Sequence, residues 1–434
     1  MTLDGSPYQG YLYAYPHKTA YRPLRPRPAL GEVWGAEPTD ALFLYAHLPF
    51  CEMRCGFCNL FTRANPPAEQ VSAYLAQLRV QTRRVADALG PVTVAQAAVG
   101  GGTPTYLTAS ELTELFDLLD AFGRGAVPTA VETSPATATP DRLAVLAERG
   151  TTRVSIGVQS FLDAEAHAAG RPQKRAEVDR ALDAIRASGI PELNVDLIYG
   201  IDGQTERSWE YSLATALEWA PEEVFLYPLY VRPLTGLGRR SPDGSDPAWD
   251  AQRLALYRQG RDRLRAAGYR QLSLRHFRRP ADDDPTDYHC QDDGMVGLGC
   301  GARSYTTDLH YSFDYAVGIG QVRAIIDDYL ARPASDFDHA EVGYHLDDAE
   351  QRRRWLVKSL LRSEGLVPAD YGARFGTSVD TDFPQLSQLA ERGWLTRDAT
   401  LVALTDDGLE RADAIGPWLV SSAVRAAMEE HVMR

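Results

Sequence analysis

Between residues 41 and 232 one pattern returns again and again, and it leaves few architectures open. A short apolar or alternating run ends in glycine or polar residues, and a segment with one apolar helical face follows. "ALFLYAHLPF", "VTVAQAAVGGGTPTYL", "TAVETSP", "TRVSIGVQS", "ELNVDLIYG" and "EVFLYPLYV" read as strands. "VSAYLAQLRVQTRRVADAL", "SELTELFDLLDAF", "DRLAVLAERG", "RAEVDRALDAIRASG" and "SWEYSLATALEWA" read as the helices between them. Strands that alternate with helices lie parallel, because each crossover returns the chain to the same end of the sheet. The pattern predicts an α/β fold, a partial TIM-like (β/α)6 barrel over residues 41–235. Its polar strand ends gather where barrel enzymes keep their active-site groups.

Around this unit, residues 1–40 are rich in Pro and Tyr ("YLYAYPHKTAYRPLRPRP") and predict a covering arm without a continuous helix or central strand. The polar stretch "LTGLGRRSPDGSDPAWD" marks a boundary near 233–250. Residues 236–330 then read as an α+β accessory region for substrate. It ends in the glycine-rich "MVGLGCGARSY", a turn able to bring backbone close to a ligand. Residues 331–434 predict a small helical, winged-helix-like domain with a hairpin in "GWLTRDATLVALTDDGLERA". The 45 Lys and Arg against 59 Asp and Glu give a net charge of −14, which counts against nucleic acid as a partner. No apolar stretch approaches the roughly 20 residues of a membrane span, and no basic start leads into an apolar signal core. The expectation is a cytoplasmic protein without a membrane span.

The five cysteines are unevenly placed. Cys51, Cys55 and Cys58 stand together in "PFCEMRCGFCNLF", while Cys290 and Cys300 are far away. Three thiolates from one loop can hold an iron–sulfur cluster and leave one iron open. Zinc would need a fourth ligand from elsewhere, and a redox or buried thiol group is the third reading. The spacing C-x3-C-x2-C by itself leaves all three open.

The surroundings are more specific. "YAHLPFCEMRCGFC", "GGGTPTYL", "ETSP", "GVQS" and "NVDLIYG", in that order, are similar to the motifs of the radical S-adenosylmethionine superfamily. The likeness is to its coproporphyrinogen III oxidase-like branch, which includes heme chaperones and methyltransferases, and it covers about residues 40–310. The resemblance implies that Cys51, Cys55 and Cys58 hold a [4Fe-4S] cluster whose open iron takes S-adenosylmethionine. It places Tyr45 near the cluster and Phe57 beside adenine. It gives Gly100, Gly101 and Gly102, with Thr103, the methionine end, which small side chains and accessible amides would receive. It assigns Glu132 to the ligand's ammonium or hydroxyls, Arg171 to its carboxylate, Asp196 to the ribose hydroxyls, and Gln159 to bonds of either sense. His47 resembles a residue that organises the site and is not an added cluster ligand. "GLGCGARSY" departs from the branch's "GLGPGAHSY", with Cys300 at the proline position and Arg303 at the histidine position, so heme or porphyrin function does not transfer on these residues. For Cys290 and Cys300 an inert buried thiol is the plainer reading, and substrate contact the other.

By the same resemblance, the activity is reductive cleavage of S-adenosylmethionine and use of the 5'-deoxyadenosyl radical on an unreactive carbon of a small molecule. The electron would come from a reductant such as flavodoxin or ferredoxin. Methyl transfer, with two molecules of S-adenosylmethionine, is the leading expectation. Porphyrinogen decarboxylation and heme delivery are the alternatives, the latter with heme as a cofactor; His17 in the arm is a candidate axial ligand for it, with a surface or packing histidine the plainer reading.

Overall fold

The structure, a computed structural model, describes residues 2–238, 246–280 and 292–431. Those residues build one 13-stranded sheet. Its centre is made of parallel strands β1 (Leu42–Leu48), β2 (Val94–Gly101), β3 (Thr129–Thr133), β4 (Thr151–Gln159), β5 (Glu192–Tyr199), β6 (Glu223–Pro228) and β7 (Met295–Leu298). In space, β7 lies beside β1, and β1 to β6 follow in chain order. All six strands expected from the repeating pattern are therefore present and parallel. Among the described residues no pairing joins the two edges, so the sheet is an open, partial barrel.

The crossovers are the expected helices. Ala68–Leu89 buries Val71, Tyr74, Leu75, Leu78 and Val85 along one face and stops at Gly90, whose φ of 69° suits glycine. Ala109–Leu119 begins at Thr108, which closes a capping box with Glu111. On the sheet, alternate residues face opposite ways. Leu44, Val99, Val131, Val154, Ile156, Val195 and Val224 point outward and join Leu78, Leu112, Leu143, Leu182 and Leu213 of the helices in the main core. That outer layer leaves the concave inner face to polar and aromatic side chains.

The region 236–330, expected as an accessory extension, widens the same sheet at both edges. Arg270–Gln271 and His276–Arg278 add antiparallel strands beside β6. Beyond β7, Arg303–Tyr305, Leu309–Ser312 and Val342–His345 follow, and the arm's own Arg22–Pro23 is the last strand. A proline is tolerated there because an edge strand need not donate every N–H. The arm also inserts Leu3, Leu12, Tyr15 and Ala20 into a second core with Leu356, Leu360, Tyr371, Leu389 and Ile415 of the C-terminal helices. The expected hairpin is Leu395–Arg397 with Val402–Leu404. Cys290 and most of the polar stretch before residue 246 lie outside the described residues.

Candidate active site

The inner face collects chemistry by strand parity. Tyr45 of β1, Gly100 of β2, Glu132 of β3, Arg153 and Ser155 of β4, Asn194 and Asp196 of β5, and Phe225 and Tyr227 of β6 line one cavity of about 390 Å³. Tyr11 and Tyr13 of the arm, with Arg275, Arg303 and Asp413, complete its wall. Four residues assigned by resemblance, Tyr45, Gly100, Glu132 and Asp196, meet in this cavity. Arg153, Asn194, Arg275 and Asp413 were not foreseen, and the arm was expected only as a cover, without Tyr11 or Tyr13 named.

The two carboxylates in it titrate high, although Glu132 is open to the cavity and Asp196 is half-buried. The desolvating walls of the chamber raise Glu132, against the pull of the Gly101 amide, which donates to it at 2.9 Å, and of Arg153. Burial pushes Asp196 up to about 7, although Asn194 Nδ2 donates to it at 2.8 Å. Asn194 Oδ1 is buried without a hydrogen-bond partner, a spare acceptor beside Asp196. Arg153 itself donates to the fully buried Glu223 at 2.7 Å. Burial would raise Glu223, but Arg153 and His276 hold it well below the usual carboxylate range.

Beyond β1 the chain forms the cysteine loop, closed by a short parallel pairing of Phe50–Cys51 with Arg63–Ala64. Cys51, Cys55 and Cys58 are free and half-buried. Burial pushes the Cys51 thiol up to about 12, opposed by Thr103, whose hydroxyl donates to its sulfur at 3.5 Å. Burial raises Cys55 too, opposed by Arg171, and the charge of Cys58 adds to the rise at both. The loop thus holds three thiols within electrostatic reach of one another. Arg171 and Gln159 converge at Gly157, where an added Cβ would meet Gln159 Nε2 at 2.6 Å and Arg171 Nη1 at 3.2 Å. Gln159 ends β4 with φ of 68°, a left-handed backbone that a non-glycine residue holds only under constraint. Phe57 packs against Ala169, Ile198, Ile201 and Leu229 at the end of β5. Among the described residues no three His, Cys, Asp or Glu side chains are arranged to clasp a single metal ion.

Several expected reasons change. The amides of Gly101, Gly102 and Thr103 are taken by Glu132, Leu48 O and Phe50 O, so they are not free to receive a ligand. Glycine is needed there by protein packing: a Cβ would meet Glu132 from Gly100 at 2.9 Å, the His47 ring from Gly101 at 2.4 Å, and Phe50 O from Gly102 at 2.4 Å. The glycine-rich 297–301 turn likewise approaches protein closely. A Cβ on Gly299 would strike the Tyr74 hydroxyl at 2.4 Å, and one on Gly301 the His47 ring at 2.7 Å. His47 is buried, with Tyr45 OH and Phe61 O at 3.2 Å from its two ring nitrogens, and burial holds it neutral, down to about 4. Cys300 is fully buried against Tyr74 and its thiol is pushed up to about 12, the inert reading.

The missed residues had a partial signal. Arg153 and Ser155 occupy the inward positions of "TTRVSIGVQ", which strand parity alone exposes. The covering arm was expected, but nothing in the local sequence singled out Tyr11 and Tyr13 within it or tied Asp413 to the barrel.

Comparison with known proteins agrees with this layout. Residues 45–216 match the family model of the radical SAM superfamily. The heme chaperone HemW of Bacillus subtilis is 27% identical over 372 residues, covering 84% of this chain and 95% of the chaperone. The oxygen-independent coproporphyrinogen III oxidase of Pseudomonas aeruginosa is 28% identical over 389 residues, covering 85% of this chain and 83% of the oxidase. The solved fold of coproporphyrinogen III oxidase HemN from Escherichia coli superposes with a TM-score of 0.75 over 92% of each chain, at 23% identity. The motifs, the parallel half-barrel and these likenesses together place the chain in the radical SAM superfamily of enzymes, within the branch of coproporphyrinogen III oxidases and HemW-type proteins.

Proposed function

We propose that the protein is a radical SAM enzyme acting on a small anionic molecule, in the manner of a coproporphyrinogen III oxidase. The observation that carries this reading is the chamber itself: Glu132 and Asp196 face a cavity whose wall includes Arg153, Arg275 and Arg303. Arg153 and Arg275 are matched by Glu223 and Asp413, and Arg303, whose Nε is buried without a hydrogen-bond partner, is the cation that suits a substrate carboxylate. Methyl transfer gives way as the leading form, because the near full-length relatives are oxidases and heme chaperones.

Cys51, Cys55 and Cys58 fit a [4Fe-4S] cluster better than a lone ion. A cluster spreads three thiolates over three irons, a wider arrangement than one ion requires. When bound, the cluster and S-adenosylmethionine supply an electron and the 5'-deoxyadenosyl radical that takes a hydrogen atom from a substrate carbon. The chain's residues then bind and orient. Arg171, beside Cys55, is placed for the ligand's carboxylate, and Gln159 at the same point donates or accepts. Asp196 and the unpartnered Asn194 Oδ1 suit ribose hydroxyls, Phe57 offers an apolar face to adenine, and Tyr45 with His47 braces the loop. The arm and Arg303 close the chamber against water. A one-electron donor such as flavodoxin or ferredoxin and a reducing cytoplasmic setting belong to the same reading.

The test is anaerobic incubation of the reconstituted protein with coproporphyrinogen III and methyl-labelled S-adenosylmethionine. Decarboxylated product, coupled to 5'-deoxyadenosine and with label only in methionine, is expected; label in the product would restore methyl transfer. Cys51→Ser should abolish 5'-deoxyadenosine formation, whereas Cys300→Ala should retain it.

One observation favours heme delivery as a second reading. Burial and the nearby Lys18 and Arg303 keep the His17 imidazole well below its usual range, and neutral imidazole is the iron-binding form. Heme titration of wild type against His17→Ala decides it: identical spectra would remove His17 as a ligand.

A further inference from the structure

Just beyond the cysteine loop lies a buried hydroxyl whose partner is a sulfur. Thr62, four residues after Cys58, is 5% exposed, and its Oγ1 stands 3.8 Å from Cys58 Sγ. Among the described residues that hydroxyl has no other hydrogen-bond partner. Its place is set by the chain on both sides. Phe61 O lies 3.2 Å from the His47 ring, and the Arg63 and Asn65 amides donate to Pro49 O at 2.6 Å and to Cys51 O at 2.8 Å. Thr103 repeats the arrangement at the other end of the loop, where its hydroxyl donates to Cys51 Sγ at 3.5 Å. A hydroxyl costs free energy to bury unless it is bonded, so the sulfur contact is what satisfies Thr62.

We infer that Thr62 is a positioning residue of the cysteine loop, whose hydroxyl donates to the Cys58 thiolate and raises the reduction potential of the cluster held there. The inference rests on the reading above in which Cys51, Cys55 and Cys58 carry a [4Fe-4S] cluster. With a thiol at Cys58, either atom of the pair can donate. A cysteine that ligates iron has given up its proton, so its sulfur only accepts and the hydroxyl must donate. A bond to an ionised acceptor is also shorter and stronger than one between neutral groups.

The direction of the effect follows from charge. Reduction adds one electron, and part of its negative charge falls on the cysteine sulfurs. An O–H dipole aimed at one of them is worth more to the reduced cluster than to the oxidised one, so it favours the electron's arrival. Because backbone bonds fix the chain on both sides of Thr62, the dipole is aimed in advance and needs no rearrangement. Glu52 and Arg54 within the loop, Arg171 beside Cys55 and Lys18 near Cys58 act on the same potential. A change at Thr62 leaves all four charges in the chain, so a difference between variants reports the hydroxyl.

Electron paramagnetic resonance during a reductive titration of the reconstituted full-length protein tests this. Thr62→Val keeps the shape of the side chain and removes the donor. Its midpoint should lie below that of wild type by the equivalent of roughly 10-fold in the reduction equilibrium, about 59 mV for one electron. Thr62→Ser restores a hydroxyl and should return the midpoint to the wild-type value. A Thr62→Val midpoint equal to or above wild type overturns the inference, as does a Thr62→Ser midpoint as low as that of the valine variant. If the valine variant takes up no iron, Thr62→Ala repeats the measurement without a branched side chain; loss of the cluster from both assigns Thr62 to loop assembly alone and also overturns it. A wild type that takes up no iron–sulfur cluster refutes the cluster reading, and the inference with it, whereas a loaded protein with an unaltered midpoint overturns only the role of Thr62.

Discussion

Asp196 shows how one half-buried residue can carry opposite effects on binding and on stability. Its folded-state acidity lies near 7 because burial penalises the charge. A carboxyl raised in this way is harmless below its unfolded value and destabilising above it. Stability is therefore fully present below about pH 4 and is lost as the pH climbs toward and through 7. In the cofactor-free protein, Asp196→Asn should flatten that loss, by on the order of 1–4 kcal/mol, in urea unfolding at pH 8 compared with pH 4. If Asp196 accepts from the ribose, the same variant should weaken S-adenosylmethionine binding most at high pH, which calorimetry would show. Gly101 offers a purely steric counterpart. Its φ of 107° and the 2.4 Å approach of a Cβ to the His47 ring should make Gly101→Ala cost about 2–4 kcal/mol. A variant as stable as wild type would mean that His47 can yield. The identity of both residues was legible from motif resemblance. The use of each was not, because a glycine reads the same whether its neighbour is a ligand or an imidazole.

At the scale of elements, the arm is the part whose role changed most. Its prolines correctly argued against a helix or central strand, and they end at the sheet's edge as Arg22–Pro23. Tyr15 is fully buried and its hydroxyl donates to Glu350 while accepting from the Ser421 amide. Tyr15→Phe should cost about 1–3 kcal/mol through the carboxylate left unsatisfied. Limited proteolysis should then cut the arm before any other segment; an arm as resistant as in wild type would show that its apolar contacts suffice. The five helices between β1 and β6, by contrast, were readable because a 3.6-residue period reports burial locally. The glycine-rich 297–301 turn is the opposite case: close backbone approach is visible in the residue type, but that Tyr74 and His47 are what lies against it is not.

Across the whole molecule, sheet, arm and C-terminal helices are tied at one buried point. Asp413, 1% exposed, pairs with Arg275 and accepts from Tyr230, and its carbonyl receives the Gly10 amide at 2.9 Å. Arg275 also lies over the Tyr11 ring at 3.7 Å. Asp413→Ala strands a buried guanidinium and should cost about 3–5 kcal/mol. Urea unfolding followed by circular dichroism and by tryptophan fluorescence should then show either one weakened transition or a C-terminal unit melting first; an unchanged midpoint would mean the pair is incidental. The amino-acid sequence by itself determined the parallel sheet, its helices, the cysteine loop and the family, because strand parity, helical period and motif spacing are properties of neighbours along the chain. Only the tertiary structure decided that residues 236–330 extend the same sheet, that the amides of Gly101, Gly102 and Thr103 are already occupied, and that Tyr13 and Asp413 reach the chamber. Those facts depend on which distant segments fill the same space, and no local pattern encodes a contact between residue 13 and residue 303, or between residue 275 and residue 413.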